Sequence, residues 1–141
     1  MNESLKVQNM RVPAEQQPRF AQLVGISIIH RAKDLVQGEL QVTHELSNGF
    51  GVMHGGALMT FADNLAGTAT MMNVADDATF STIESKSNFF AAIPVGDTAR
   101  GEARPLHRGR TTMVWESRIW RSDGRLAAVI MQTQLVTAVR D

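Results

Sequence analysis

The sequence predicts an α+β domain in which an antiparallel sheet of about six strands wraps around one long central helix. From 54 to about 73, Leu58, Ala62, Leu65, Ala69 and Met72 recur at helical spacing. Met59, Phe61 and Ala66 widen that apolar stripe until it nearly encircles the axis. On both sides of this segment the period is two, and turn residues separate the runs. An antiparallel sheet has one face to cover, and this helix is the only element apolar enough to cover it.

Taken in order, residues 1–20 are polar and read as a partly ordered N-terminal arm, followed by a single domain over 21–141. Within "AEQQPRFAQLVG" a short helix is expected to end near Gly25. "ISIIHR" and "VQGELQVTHEL" then form a hairpin joined at "AKD", with Leu40 and Val42 inward and Glu39, Gln41 and Thr43 outward. After the long helix, Ile83, Ser85, Ser87 and Phe89 alternate with Thr82, Glu84, Lys86 and Asn88, and "PVGD" closes that strand. Three more strands, at about 97–107, 110–121 and 125–138, complete a meander of four. Gly109 and Gly124 are expected to supply the positive backbone angles of its hairpins. On the middle strand of those three, Met113, Trp115 and Ile119 share a face.

Composition narrows the function. Fourteen basic and fourteen acidic side chains cancel, so the overall field favours neither nucleic acid nor an anionic membrane. Residues 100–125 nevertheless hold seven Arg against Glu102, Glu116 and Asp123, which suits either a solvated strand face or a phosphate-bearing ligand. Without cysteine there is no disulfide framework, thiolate nucleophile or thiolate metal site. The start lacks the basic end and apolar core of a secretory signal, and the most apolar stretch, 57–75, is broken by Thr60, Asp63, Asn64 and Gly67. A cytoplasmic protein is expected.

Between Glu45 and Asp76 the only formal charge is Asp63. A carboxylate on so apolar a helix must be hydrogen-bonded, by Asn64 or Thr60 for example, or must face a cleft. "HGG" at 54–56 stands at the helix start, where glycines are poor helix formers but let a ligand reach bare backbone. Alternatively, they only let the helix pack closely on the sheet. The first amides of a helix carry the positive end of its dipole and can hold a developing oxyanion. Gly55 and Asp63 are eight residues apart, roughly 12 Å along the axis, too far for one reacting carbon. Two antiparallel copies of the helix across a two-fold axis would bring the start of one to the second turn of the other, building each site from two chains.

The pattern N-x5-HGG-x6-D-N, formed by Asn48, His54, Gly55, Gly56, Asp63 and Asn64, resembles the hotdog-fold acyl-CoA thioesterases, specifically the phenylacetate-degradation (PaaI-like) branch. Over about 25–138 the resemblance is one of element order and turns, including Pro94, Gly96 and Asp97. It implies a hotdog fold, a homotetramer of two dimers with composite sites, and hydrolysis of an acyl-CoA thioester with no cofactor. By position, Asp63 corresponds to the carboxylate that acts as nucleophile or as base on water, and Gly55 to the amide that polarises the carbonyl. Asn48 corresponds to a side chain placing the water or the carbonyl, and His54 to a wall residue steadying the glycine turn with Gly56. Thr82 falls where relatives keep a small hydroxyl, and the hairpin "RPLHRGRTT" where they rest the nucleotide, which makes Arg108 and Arg110 the expected phosphate contacts. A thioester carbon is electrophilic and its thiolate leaves readily, so one carboxylate and one oxyanion contact suffice.

Other readings have less to stand on. "THEL" begins like a zincin helix but lacks the second His and is read as strand; the four His share no ligand spacing, so no metal is expected. Met59, Met71 and Met72 are read as core, with an adaptable acyl pocket as the alternative. The runner-up function is a hotdog module that binds acyl-CoA without hydrolysing it and has no need of Asp63. A hydratase or dehydratase of the same fold would show a different His/Asp or His/Glu arrangement.

Overall fold

Small and apolar residues at helical spacing make Gly55–Met71 the one long helix, α2, in a computed structural model that describes residues 11–137. The short helix α1 (Arg19–Val24) precedes it, along with strands β1 (Ile26–Arg31) and β2 (Val36–Gln41). Strands β3 (Thr79–Phe89), β4 (Thr98–Arg108), β5 (Thr112–Trp120) and β6 (Leu126–Thr137) follow. All six strands join one antiparallel sheet in the order β1-β2-β4-β5-β6-β3. The sheet wraps α2, burying Leu58, Phe61, Ala62, Leu65, Ala66 and Ala69 against Ile28, Leu40, Trp115, Ile119 and Ile130 in one core.

Close approach of helix and sheet depends on two missing side chains. Gly38 on β2 and Gly101 on β4 face each other across the ladder, directly under Leu65 and Phe61. A Cβ on Gly38 would lie 2.8 Å from Leu65 Cδ2 and 2.9 Å from the Ser27 carbonyl oxygen, which cannot rotate away. Gly38→Ala is therefore expected to lower stability by about 1–3 kcal/mol through overpacking, read as a lower urea midpoint at unchanged slope. A second buried tie is the Trp115 indole N–H, which donates to Thr70 Oγ1 at 3.0 Å. The turn before β4 is fastened to the β5–β6 turn through Asp97, which accepts from the Thr98 and Ser122 amides. Hydrogen bonding from the Ser122 side chain, with those amides and Arg121 adding to it, holds the Asp97 carboxyl below its ordinary range.

The fold departs from the sequence reading in several places. The last four strands are not a simple meander: β4, β5 and β6 are, but β3 crosses to pair with β6 and forms the sheet edge. "THEL" is not strand; β2 ends at Gln41, and His44–Leu46 is a single 3-10 turn. Gly124 has the expected positive φ of 88°, whereas Gly109 does not; there a Cβ would meet His107 Nε2 at 2.6 Å, so crowding explains the glycine. The long helix is not enclosed within the chain either. Met59, Thr60, Asp63, Asn64, Gly67 and Thr68 form a face that the sheet leaves uncovered. Of the expected arm, residues 1–10 lie outside the described residues, while Val12 bridges Ile28 and Gln17 is buried. Among the described residues no helix is long and apolar enough to cross a membrane.

Candidate active site

Asp63 lies on the uncovered face of α2, so its charge stays near water instead of in the core. Its Oδ1 accepts a hydrogen bond from Thr82 Oγ1 at 2.7 Å, and Thr82 Oγ1 in turn accepts from Gln134 Nε2 at 2.8 Å. Gln134 also donates to Gln132 Oε1, and Gln132 Nε2 donates to Ser85 Oγ at 3.2 Å. This chain locks the carboxylate rotamer and leaves Oδ2 without a protein partner among the described residues. A β-bulge makes the arrangement possible. The register of β3 slips between Thr82 and Glu84, so Thr82 stands opposite Gln134 and Ser85 opposite Gln132. Strict alternation would have put Thr82 and Ser85 on opposite faces.

At the start of α2, His54 is the N-cap, and its Nδ1 accepts from the Gly56 amide at 2.8 Å. The ring thereby steadies the glycine turn and satisfies one of the free amides at the helix start. Gly55 N–H, the first of the helix, has no intrahelical acceptor and sits at the positive end of the dipole. Asn48 Oδ1 accepts from the Phe50 amide at 2.8 Å, which fixes its amide orientation and leaves only NH2 donors for a ligand. Asn48 and Gly55 line one cleft together with Met53, Phe89 and Phe90. His54→Ala is expected to cost about 0.5–2 kcal/mol through the lost cap, and His54→Asn much less, as read by thermal denaturation of the two variants.

The eight expected site residues thus fall into groups. Asn48, His54, Gly55 and Gly56 come together at the start of α2. Asp63 and Thr82 come together in a different cleft, with Met59, Thr60 and Asn64. Arg108 and Arg110 line neither. Arg108 donates to the Lys33 carbonyl at 3.1 Å and reaches Asn73 Oδ1 at 3.5 Å, beside the far end of α2, and Arg110 is exposed in the β4–β5 turn. Arg104, Arg118 and Arg121 pair with Glu102, Glu116 and Asp123, so part of the arginine-rich stretch is a solvated strand face. Met72 is core, whereas Met59 and Met71 line the clefts beside Asp63.

The supporting glutamines were missed by sequence reasoning. Their signal lies in the period of β6, where Ala128, Ile130, Gln132 and Gln134 occupy one buried face. Two adjacent polar positions on an otherwise apolar face need partners.

Known proteins share the fold and part of the sequence. A family model described as the thioesterase superfamily matches residues 50–128. The chain is 29% identical over 116 residues to the proofreading thioesterase EntH of Cronobacter turicensis, covering 82% of each chain. It is 31% identical over 97 residues to the 1,4-dihydroxy-2-naphthoyl-CoA hydrolase of Listeria monocytogenes, covering 68% of this chain and 77% of that one. The crystal structure of a mutant of the thioesterase PA1618 from Pseudomonas aeruginosa superposes with a TM-score of 0.83 at 25% identity, covering 89% of this chain and 91% of that one. The matched span is more than half of the chain and includes the glycine turn, the whole of α2 and Asp63, and on that ground the chain belongs to the thioesterase superfamily and is a thioesterase of hotdog fold.

Proposed function

We propose that the protein hydrolyses the thioester of an aromatic or medium-chain acyl-CoA, within the phenylacetate-degradation branch of the superfamily, at sites shared between two copies of the chain. The observation that carries this reading is the separation of two half-sites. Gly55 and Asn48 offer donors in one cleft, and Asp63 with Thr82 offers an acceptor in another, eight residues or roughly 12 Å further along the same helix. Antiparallel packing of two α2 helices through their uncovered faces joins the half-sites in pairs. The edge of the sheet supports such a partner. β3 is eleven residues long, pairs on one side only, and exposes Ile83, Phe89 and the adjoining Phe90, a template that a second copy would cover.

In the shared site, Gly55 N–H of one protomer polarises the carbonyl while the Asn48 amide steadies it. Asp63 of the other either attacks the carbon, expelling the coenzyme A thiolate and forming an anhydride that water then cleaves to the free acid, or takes a proton from a water that itself attacks the carbon and expels the thiolate. Thr82 holds the carboxylate in line, and His54 with Gly56 holds the turn. Arg110, exposed, and Arg108, partly committed to Lys33 and Asn73, are the proposed contacts for the phosphates of coenzyme A. The four-chain assembly follows from pairing two such dimers, and a chain without cysteine suits the reducing cytoplasm.

Release of free thiol from a panel of acyl-CoAs tests the reading. Turnover of at least one member is expected; saturable acyl-CoA binding with no thiol released would instead make the protein a binding module.

A further inference from the structure

Beside Asp63 runs a second cavity, of about 420 Å³, lined by Ile28, Met71 and Phe80 along its apolar wall; Arg31, Gln17 and Asn64 are among its polar groups, and Asp63 stands at one end of it. Arg31 is 7% exposed, and its Nε is sealed from solvent without an acceptor. No ion pair or hydrogen bond of its guanidinium is made among the described residues, where the ion pairs are those of Arg11, Arg104, Arg118 and Arg121. Gln17, also 7% exposed, has an equally unpartnered Nε2, and Asn64 Oδ1 has no donor. Each of these three side chains at one cavity therefore has a buried polar atom without a partner among the described residues. Buried polar groups are ordinarily satisfied, and a buried cation without a counter-charge is costly.

The inward aim of Arg31 comes from a defect in the strand. β1 carries a bulge between Ile28 and His30, which shifts the alternation so that Arg31, opposite the core residue Val36, points to the face of Ile26 and Ile28. Regular alternation would have placed His30 there and left Arg31 in solvent. The direction of the cavity follows from the neighbours of β1. Ile26 lines the cleft with Met59 and Asp63, while the turn after Arg31 is tied to the far end of α2 by Asn73 Nδ2 donating to the Lys33 carbonyl. From Asp63 the cavity follows α2 past Gly67 and Thr68 to Met71, roughly 12 Å of helix. A group bonded at Asp63 thus passes an apolar wall and ends near a guanidinium that has no partner among the described residues.

We propose that this cavity is the acyl subsite and that it selects an acyl group ending in a carboxylate, bound by Arg31 with Gln17. The proposal rests on the reading of Asp63 as the hydrolytic carboxylate. A neutral end group would leave the guanidinium uncompensated, whereas a carboxylate accepts from its parallel N–H groups and from the Gln17 amide at once. The Asn64 amide, held by nothing else, can rotate to present either its oxygen or its NH2.

Two measurements test it. The first compares kcat/KM for monothioesters of dicarboxylic acids, succinyl-CoA through suberyl-CoA, with butyryl-CoA through octanoyl-CoA. The parent is expected to prefer the carboxylated member of the best-matched pair by at least about tenfold. Arg31→Met should erase that preference, lowering the carboxylated rate about 10- to 100-fold while leaving the plain acyl rate within a few-fold. Arg31→Lys should keep part of it, which separates charge recognition from misfolding. The second measurement titrates free suberate and octanoate into parent and Arg31→Met by calorimetry, independently of turnover, and suberate is expected to bind the parent alone. Hydrolysis without preference overturns the subsite and leaves the thioesterase intact. Arg31-dependent suberate binding with no hydrolysis of any thioester overturns the role of Asp63 and leaves the subsite intact. Failure of both overturns both.

Discussion

Asp63→Asn folds and assembles like the parent and turns over its best acyl-CoA about 10²- to 10⁴-fold more slowly in steady-state thiol release. The structural part of this expectation is mild. Asp63 is exposed and makes no core contact, and an asparagine Oδ1 still accepts from Thr82 as the carboxylate does. What disappears is the basic and nucleophilic oxygen, Oδ2, that the Thr82–Gln134 chain leaves free. The loss should therefore fall on kcat, with KM changed little, because an interaction made only in the transition state is removed. A rate within a few-fold of the parent would mean that Asp63 is only a solvated helix residue.

Gly55→Pro removes a single hydrogen-bond donor, the backbone N–H, from the other half-site and is expected to cost about 10²- to 10³-fold in kcat. Proline is tolerated at the first helical position, where the N–H has no intrahelical acceptor in any case, and His54 already has the extended backbone that a following proline requires. Gly55→Ala is the control. It keeps the N–H, and its Cβ would stand 3.3 Å from the ring of Phe89, an exposed side chain with room to shift. If alanine and proline damage turnover equally, the effect is steric and the amide holds no oxyanion.

Much of the frame could be read from residue order because its signals are local. The apolar period of α2, the glycine turn at 54–56 that opens it and the close spacing of Asn48, His54 and Gly55 all act over a few residues. The site beside Asp63 was harder to see because bulges build it. One extra residue near Ile83 turns Thr82 toward Gln134, and another near Ile29 turns Arg31 inward; a bulge leaves no composition signature and inverts every inference drawn from alternation. The edge position of β3 was hidden for another reason. Its pairing with β6 spans some fifty residues, so nothing in either strand alone specifies it. The uncovered face of α2 was legible only through Asp63, since an all-round apolar helix signals burial without saying whether sheet or partner supplies the cover, and its one carboxylate marks a side that faces a cleft.

Sharing of one site between two chains is tested most directly by mixing. Asp63→Asn and Gly55→Pro, each nearly inactive, are unfolded together, refolded and assayed for thiol release. Random pairing makes half of the dimers hybrids, and each hybrid holds one site with both Gly55 and Asp63 intact, so about a quarter of the parent activity should return. A mixture no more active than the average of its two components would contradict a site built from both protomers.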